Sequence, residues 1–214
     1  MAERVYAGRS AEERVARRRE QFLDAGLDVF ARQGWSGSSV ADVCRSAGLS
    51  PRFFYELFDG REELFAAVTA RIADEVEQTV RDAVATPADG AHERARAVLI
   101  ALAGHFAADP RTVRVALMES LATPQFRRRR RELLEFFSDL AARLMRALRD
   151  DAPDDRAQQA LRVSAAVLTG GLVELLVAHA TAPAGDQRAD GGTPADPAEL
   201  VDHLTAMYTA VARL

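Results

Sequence analysis

The segment Gly48-Leu49-Ser50-Pro51 constrains this chain's fold more than any other. Glycine tolerates a tight turn, serine caps a following helix, and proline suits the first helical position, where its missing N–H has no partner to lose. A helix must therefore end before the turn and another begin after it. Before it, Ser38 or Ser39 caps a short helix from Val40 to Ala47, with Val40, Val43 and Cys44 on one face. After it, Pro51 to about Phe58 forms a second. Phe54 and Phe58, four apart, pack inward, leaving Arg52, Phe53, Tyr55 and Glu56 for the outward face. Two short helices around a tight turn are the helix-turn-helix pattern.

The rest of the chain also reads as helix. Ser10 and Glu13 have capping-box spacing and start helix 1, with Phe22, Leu23, Gly26, Leu27 and Phe30 as its buried stripe, Arg17, Arg18 and Arg19 in water, and Gly34 as its stop. Helix 4 runs from Arg61 to about Ala85 and packs through Leu64, Phe65, Val68, Ile72, Val76 and Val80, before Thr86 to Gly90 breaks it. Nothing beyond Ala91 has the period-two pattern of strands. Helices are expected over Ala91 to Ala108, Pro110 to Leu121, Pro124 to Arg149, Asp154 to Ala180 and Ala198 to Val211, with a loop from Thr181 to Pro197. The expectation is an all-α protein of about nine helices.

Composition narrows the function. In 214 residues, 48% of them hydrophobic, there is material for a substantial core. A net charge of -4 argues against a protein that coats nucleic acid indiscriminately, while leaving room for a local reading head. The single cysteine, Cys44, cannot form an internal disulfide and reads as packing, and the amino terminus has no apolar signal segment. No run approaches 18 apolar residues without interruption, so no membrane partner is expected. The predicted location is cytoplasmic. His92, His105, His179 and His203 form no close metal-ligand motif, and Glu119, Glu135 and Glu174 are isolated, with no identifiable nucleophile or phosphate-binding glycine loop. No metal, no cofactor and no enzyme activity are expected. The run Arg127 to Arg131 spreads around its helix and reads as solvated or paired within the chain.

Residues 34–65, GWSGSSVADVCRSAGLSPRFFYELFDGREELF, resemble the DNA-binding region of the TetR family of one-component bacterial transcription regulators. The resemblance is carried by Gly34 and Trp35, by Ser39-Val40, and by the turn Ala47-Gly48-Leu49-Ser50. Phe54-Tyr55 with Phe58, and Arg61-Glu62-Glu63-Leu64, complete it. It implies a helix-turn-helix DNA-binding domain over residues 10–65 and an effector-binding and dimerisation domain over 66–214. It further implies that Ser39 caps helix 2 against phosphate, Arg52 faces a base edge, Tyr55 contacts phosphate, and Arg61 faces phosphate where the family usually has lysine. Phe53, also on the expected contact face, stands where a small residue or threonine is common. Glu56 adds a negative charge there, and Gly60 replaces a more usual polar cap.

One reading head buries little surface, so useful discrimination needs two related by symmetry, reading a palindromic double-stranded operator with half-sites about one helical turn apart. The last two long helices are expected to form that homodimer seam. Leu161, Val163, Val167, Leu168, Leu172 and Leu175 lie on one, with Leu200, Leu204, Met207 and Val211 on the other. The middle helices exceed what dimerisation needs, which suggests a cavity for a small, largely apolar effector whose binding releases the operator. Its expected edges are His105, Phe106, Leu117, Met118, Phe137, Leu140, Leu168 and Leu172, with Phe136 and Met145 as further adaptable side chains. The same residues also suit a solid core. A DNA-binding regulator without a small effector, controlled by a protein partner or acting constitutively, is the alternative.

Overall fold

The computed structural model describes residues 11–147, 149, 152–181 and 197–212. Every regular element among them is helical: α1 (Ala11–Gly37), α2 (Val40–Ala47), α3 (Pro51–Tyr55), α4 (Arg61–Ala85), α5 (Ala91–Ala108), α6 (Pro110–Val113), α7 (Pro124–Ala147), α8 (Asp155–Thr181) and α9 (Pro197–Ala212). The all-α expectation of nine helices holds among the described residues. The predicted cap Ser10 and most of the 181–197 loop lie outside them. The chain divides into two units at Ala70 and Arg71, inside α4.

The first unit is organised by aromatic rings. Phe22 of α1 meets Phe54 of α3 edge-on at 5.4 Å between centroids and Phe58 at 6.3 Å. Farther along, Phe30 and Trp35 both pack against Phe65 of α4, at 5.1 and 5.3 Å. Edge-to-face pairs add to area burial, so these rings orient the helices as well as dehydrating them. Gly26 lets α1 approach α4: a Cβ there would stand 3.1 Å from side-chain carbons of Leu64 and Val68. Regular geometry in α1 breaks at Gly34, whose φ of 72° lies in the left-handed region. Gly48 ends α2 in the same region, and its N–H and that of Leu49 return to the carbonyls of Arg45 and Cys44. Ser50 precedes α3 with extended backbone but makes no side-chain cap bond; its carbonyl instead receives the Phe53 and Phe54 amides.

In the second unit, Leu99 of α5, Ala141 and Met145 of α7, Leu161, Ala165 and Leu168 of α8, and Val201, Leu204 and Tyr208 of α9 make a continuous core. The expected helix from Pro110 to Leu121 is α6 followed by a π-helical turn, Arg114–Met118, and a 3-10 turn, Glu119–Leu121. Such irregularity frees carbonyls, and two are capped by the arginine run: Arg130 Nε donates to Leu117 O at 3.1 Å and Arg127 to Leu121 O at 3.1 Å. Arg128 pairs with Glu132 at 3.3 Å.

One helix stands apart in composition. Among the described residues, Asp155–His179 of α8 is long and apolar enough to cross a membrane by length and composition, although Arg162 and Glu174 interrupt it. Its small residues dilute the polar interruptions. Only 22% of its most apolar stretch is buried within the chain, yet Leu161, Ala165 and Leu168 belong to the core. The opposite side is left bare, with Val163 55% and Val167 68% exposed and Gly170 and Gly171 beside them.

The aromatic packing carries a stability consequence. Phe22→Ala, at a side chain with no exposure, should lower the stability of the first unit by about 3–5 kcal/mol in denaturant titration. A loss under about 1 kcal/mol would mean that Phe22 does not join α1 to α3.

Candidate nucleic-acid interface and apolar cavity

The outward side of α3 is built by what its inward side buries. Phe54 is fully buried, which turns Arg52 and Tyr55 to solvent, Tyr55 being 61% exposed. Arg52 Nε pairs with Glu56 Oε1 at 3.2 Å across one helical turn. Both side chains remain exposed, so the pair is weak and free to exchange for other partners. Phe53 is half-buried, because the Arg18 guanidinium lies 4.3 Å from its ring centroid. Arg18 is therefore not the solvated residue expected of helix 1, although Arg17 and Arg19 are exposed.

Ser39 caps α2, its Oγ accepting the Asp42 amide at 3.2 Å. The same hydroxyl donates to the Asp42 carboxylate, and Arg45 Nη1 approaches that carboxylate at 2.9 Å. These hydrogen bonds, Ser39 first and then Arg45, hold the Asp42 carboxyl below its ordinary range. The Ser39 hydroxyl, expected to serve phosphate, already has an anionic acceptor. Ser38, its neighbour, is buried and donates to Trp35 O at 2.9 Å. Cys44 is buried as packing, which pushes its thiol up.

Arg61 departs furthest from its expected place. Its guanidinium lies 4.0 Å from the centroid of Trp35 and donates to the carbonyls of Trp35, at 2.9 Å, and Ser38. Trp35 lies in the last turn of α1 and Ser38 between α1 and α2, where carbonyls lack a following helical amide, and a cation at the start of α4 reaches both while covering the indole. Pattern matching finds the position of Arg61 and cannot see that its charge is already engaged.

The second unit contains a cavity, partly open to solvent, whose free interior is small, about 60 Å³. Of its twenty lining residues eighteen are apolar; the others are Thr169 and Tyr208. Phe106, Leu117, Phe137, Leu140 and Leu172 line it, as expected from sequence. Three expected residues do not. Leu168 faces the core, since α8 turns Thr169, Leu172, Val173 and Leu176 to the cavity instead. Met118 is half-buried in the π turn, where Ala116 and Leu117 supply the wall. His105 is half-buried at the end of α5, with Nδ1 3.4 Å from Thr79 Oγ1 and its ring edge-on to Phe106. Met145 fills the solid core.

The expected seam is likewise shifted in phase. Leu168 and Leu204 are core residues and Leu172 is a cavity residue; Leu175 and Val211 are half-buried. Of the ten residues expected on the seam, Val163, Val167 and Met207 are exposed, at 55%, 68% and 44%, while Leu161 is a core residue and Leu200 is half-buried. The exposed apolar side of α8 consists of Val163, Ala166, Val167, Gly170 and Gly171, and that of α9 of Ala206, Met207 and Ala210.

Arg61 provides a discriminating test. Arg61→Gln should destabilise the first unit by about 1–3 kcal/mol while leaving the slope of log affinity against log salt for duplex DNA unchanged. A stable variant whose slope falls by about 0.9 would return Arg61 to phosphate.

Comparison with known proteins agrees with this architecture. Residues 22–68 match the model of the bacterial regulatory proteins, tetR family. The chain is 27% identical over 194 residues to the HTH-type transcriptional regulator AlkX of Mycobacterium tuberculosis, spanning 89% of this chain and 86% of that protein. It is 29% identical over 156 residues to the HTH-type transcriptional regulator BetI of Rhizobium meliloti, spanning 72% and 75% of the two chains. Its fold is similar to that of the transcriptional regulator FadR of Bacillus subtilis, solved in complex with stearoyl-CoA. That match has a TM-score of 0.63 and 17% identity, and covers 89% of this chain and 97% of the other. The matched relatives are regulators of transcription, not enzymes. The turn between α2 and α3, the helical second unit and these relatives together support the tetR-family resemblance read from residues 34–65, and residues 22–68 match that family's model.

Proposed function

We propose that this protein is a ligand-responsive transcriptional repressor that binds a palindromic operator as a homodimer and is released by a small, largely apolar effector. The observation that carries the reading is the small apolar cavity in a chain that also bears a helix-turn-helix head. An unfilled space lined by eighteen apolar side chains sacrifices packing contacts, and an effector that restores them gains affinity. The structurally similar FadR was solved with stearoyl-CoA, which shows that one protein of this fold accommodates an acyl chain.

In this reading residues 10–65 bind DNA and residues 66–214 bind effector and partner. Arg52 reads a base edge, Tyr55 fixes register on phosphate, and Ser39 reaches phosphate by exchanging its Asp42 partner. The dimer forms across α8 and α9 through Val163, Val167, Gly170, Gly171 and Met207, whose exposure within one chain is the cost that association removes. That cover comes from a second copy rather than lipid, and the protein works in the cytoplasm. Helix α4 carries Arg61 at its start and the cavity residues Ile72 and Val76 farther along, so an effector that displaces Ile72 and Val76 biases the head through one continuous helix. Release requires tighter effector binding to the DNA-incompetent arrangement; a 100-fold loss of operator affinity corresponds to about 2.7 kcal/mol of coupling.

Two variants separate the seam from the reading head. Val167→Glu places charge on the bare side of α8 and should weaken operator binding at least about tenfold with helicity intact, because it uncouples two modules. Arg52→Ala should instead leave the dimer whole and relax discrimination at particular base pairs by about 1–3 kcal/mol. If Val167→Glu leaves operator affinity unchanged, the proposed seam is wrong; a uniform loss from Arg52→Ala across all sequences would make it a phosphate contact.

A further inference from the structure

Thr169 of α8 and Tyr208 of α9 are both 5% exposed and are the two hydroxyl-bearing residues in a wall that is otherwise hydrocarbon, and the Thr169 hydroxyl lies near enough to act on the Tyr208 phenol. With Thr169 directed at the Tyr208 oxygen, the phenol O–H is the donor left to meet a third oxygen in the cavity. Burial pushes the Tyr208 phenol up, which keeps it protonated and therefore a donor. Among the described residues, no arginine, histidine or acid lines the cavity. A carboxylate entering it would be stripped of water with a single hydroxyl to answer its charge, whereas a ketone, ester or alcohol oxygen asks for one donor. The small interior and its predominance of leucine and valine favour a slender aliphatic chain.

We propose that the cavity takes a neutral, slender aliphatic molecule bearing one oxygen acceptor, which the Thr169–Tyr208 hydroxyl pair receives, and that it discriminates against carboxylates and charged headgroups. This rests on the reading of the cavity as the effector site and adds the chemical class of the effector. Orientation and selection come from one hydroxyl pair, while affinity comes from the apolar wall. The oxygen is best placed at the pair and the chain runs along the residues contributed by α5 and α7.

The test uses the full chain and four probes sharing a similar alkyl length: dodecane, methyl undecyl ketone, dodecanoate and lauroyl-CoA. Affinity is measured by competition with a fluorescent apolar dye, and release of operator DNA is followed in parallel. The ketone should bind at least about tenfold more tightly than dodecane, dodecanoate or lauroyl-CoA, a difference of about 1.4 kcal/mol. Tyr208→Phe should bring the ketone to the level of dodecane and leave dodecane itself unchanged. Tightest binding by dodecanoate or lauroyl-CoA overturns the neutral-ligand inference and leaves the effector reading intact. Equal ketone affinity in the native chain and Tyr208→Phe overturns the role of the hydroxyl pair. Binding by none of the probes overturns this inference, and absence of both binding and release across wider chemical classes overturns the effector reading with it.

Discussion

Helix α8 carries apolar residues on three of its sides, and covering them constrains the whole second unit. One side is answered by the core, through Leu161, Ala165 and Leu168 against α7 and α9. A second is answered only in part, since Leu172, Val173 and Leu176 face a space that protein atoms do not fill. The third, with Val163 and Val167, is not covered within the chain at all. In the proposed function, core, effector cavity and partner surface are three solutions to one dehydration problem. That economy explains how a single helix serves both ligand and dimer in the proposed function.

Arginine solves a different problem, since all the basic residues of this chain are arginine. Arg130 and Arg127 cap carbonyls where the helix after α6 departs from α geometry, and Arg61 does the same at the α1–α2 corner while stacking on Trp35. A planar cation with several donors can satisfy a carbonyl and cover a ring together, which an ammonium does poorly. The exposed Arg52 is different in kind, held only by Glu56 across a solvated helical turn. Its charge stays available because nothing buried depends on it.

Much of the fold was legible because its signals are local. Turn chemistry at Gly48 and Pro51, the break at Gly34 and the stripe from Leu64 to Val80 each act within a few residues, and the helices begin and end close to where those signals fall. The phase of α8 and α9 was not legible. On an amphipathic helix the apolar stripe names the buried side, but α8 carries apolar residues on several sides, interrupted by Arg162 and Glu174, so Leu168 and Leu172 look as suited to a seam as Val163 and Val167. Leucine was favoured for its size, and the core took it for the same reason. The cavity was half legible: Phe106, Leu117, Phe137, Leu140 and Leu172 belong to it, while Tyr208 was missed. A tyrosine among apolar residues at the i, i+4 spacing from Leu204 was a signal for a buried hydroxyl needing a partner, and Thr169 is that partner. The contacts Arg61 makes with Trp35 and Ser38 were not legible, because a motif records residue type and spacing, not whether neighbouring carbonyls compete for the charge.

The unanswered side of α8 is where the account is most exposed to refutation. Analytical ultracentrifugation of the full chain across micromolar concentrations measures directly whether that side is covered. A two-fold dimer persisting at the lowest concentration is the predicted result. Sedimentation as a monomer throughout would contradict it, and with it the pairing of two reading heads on which palindromic operator recognition depends.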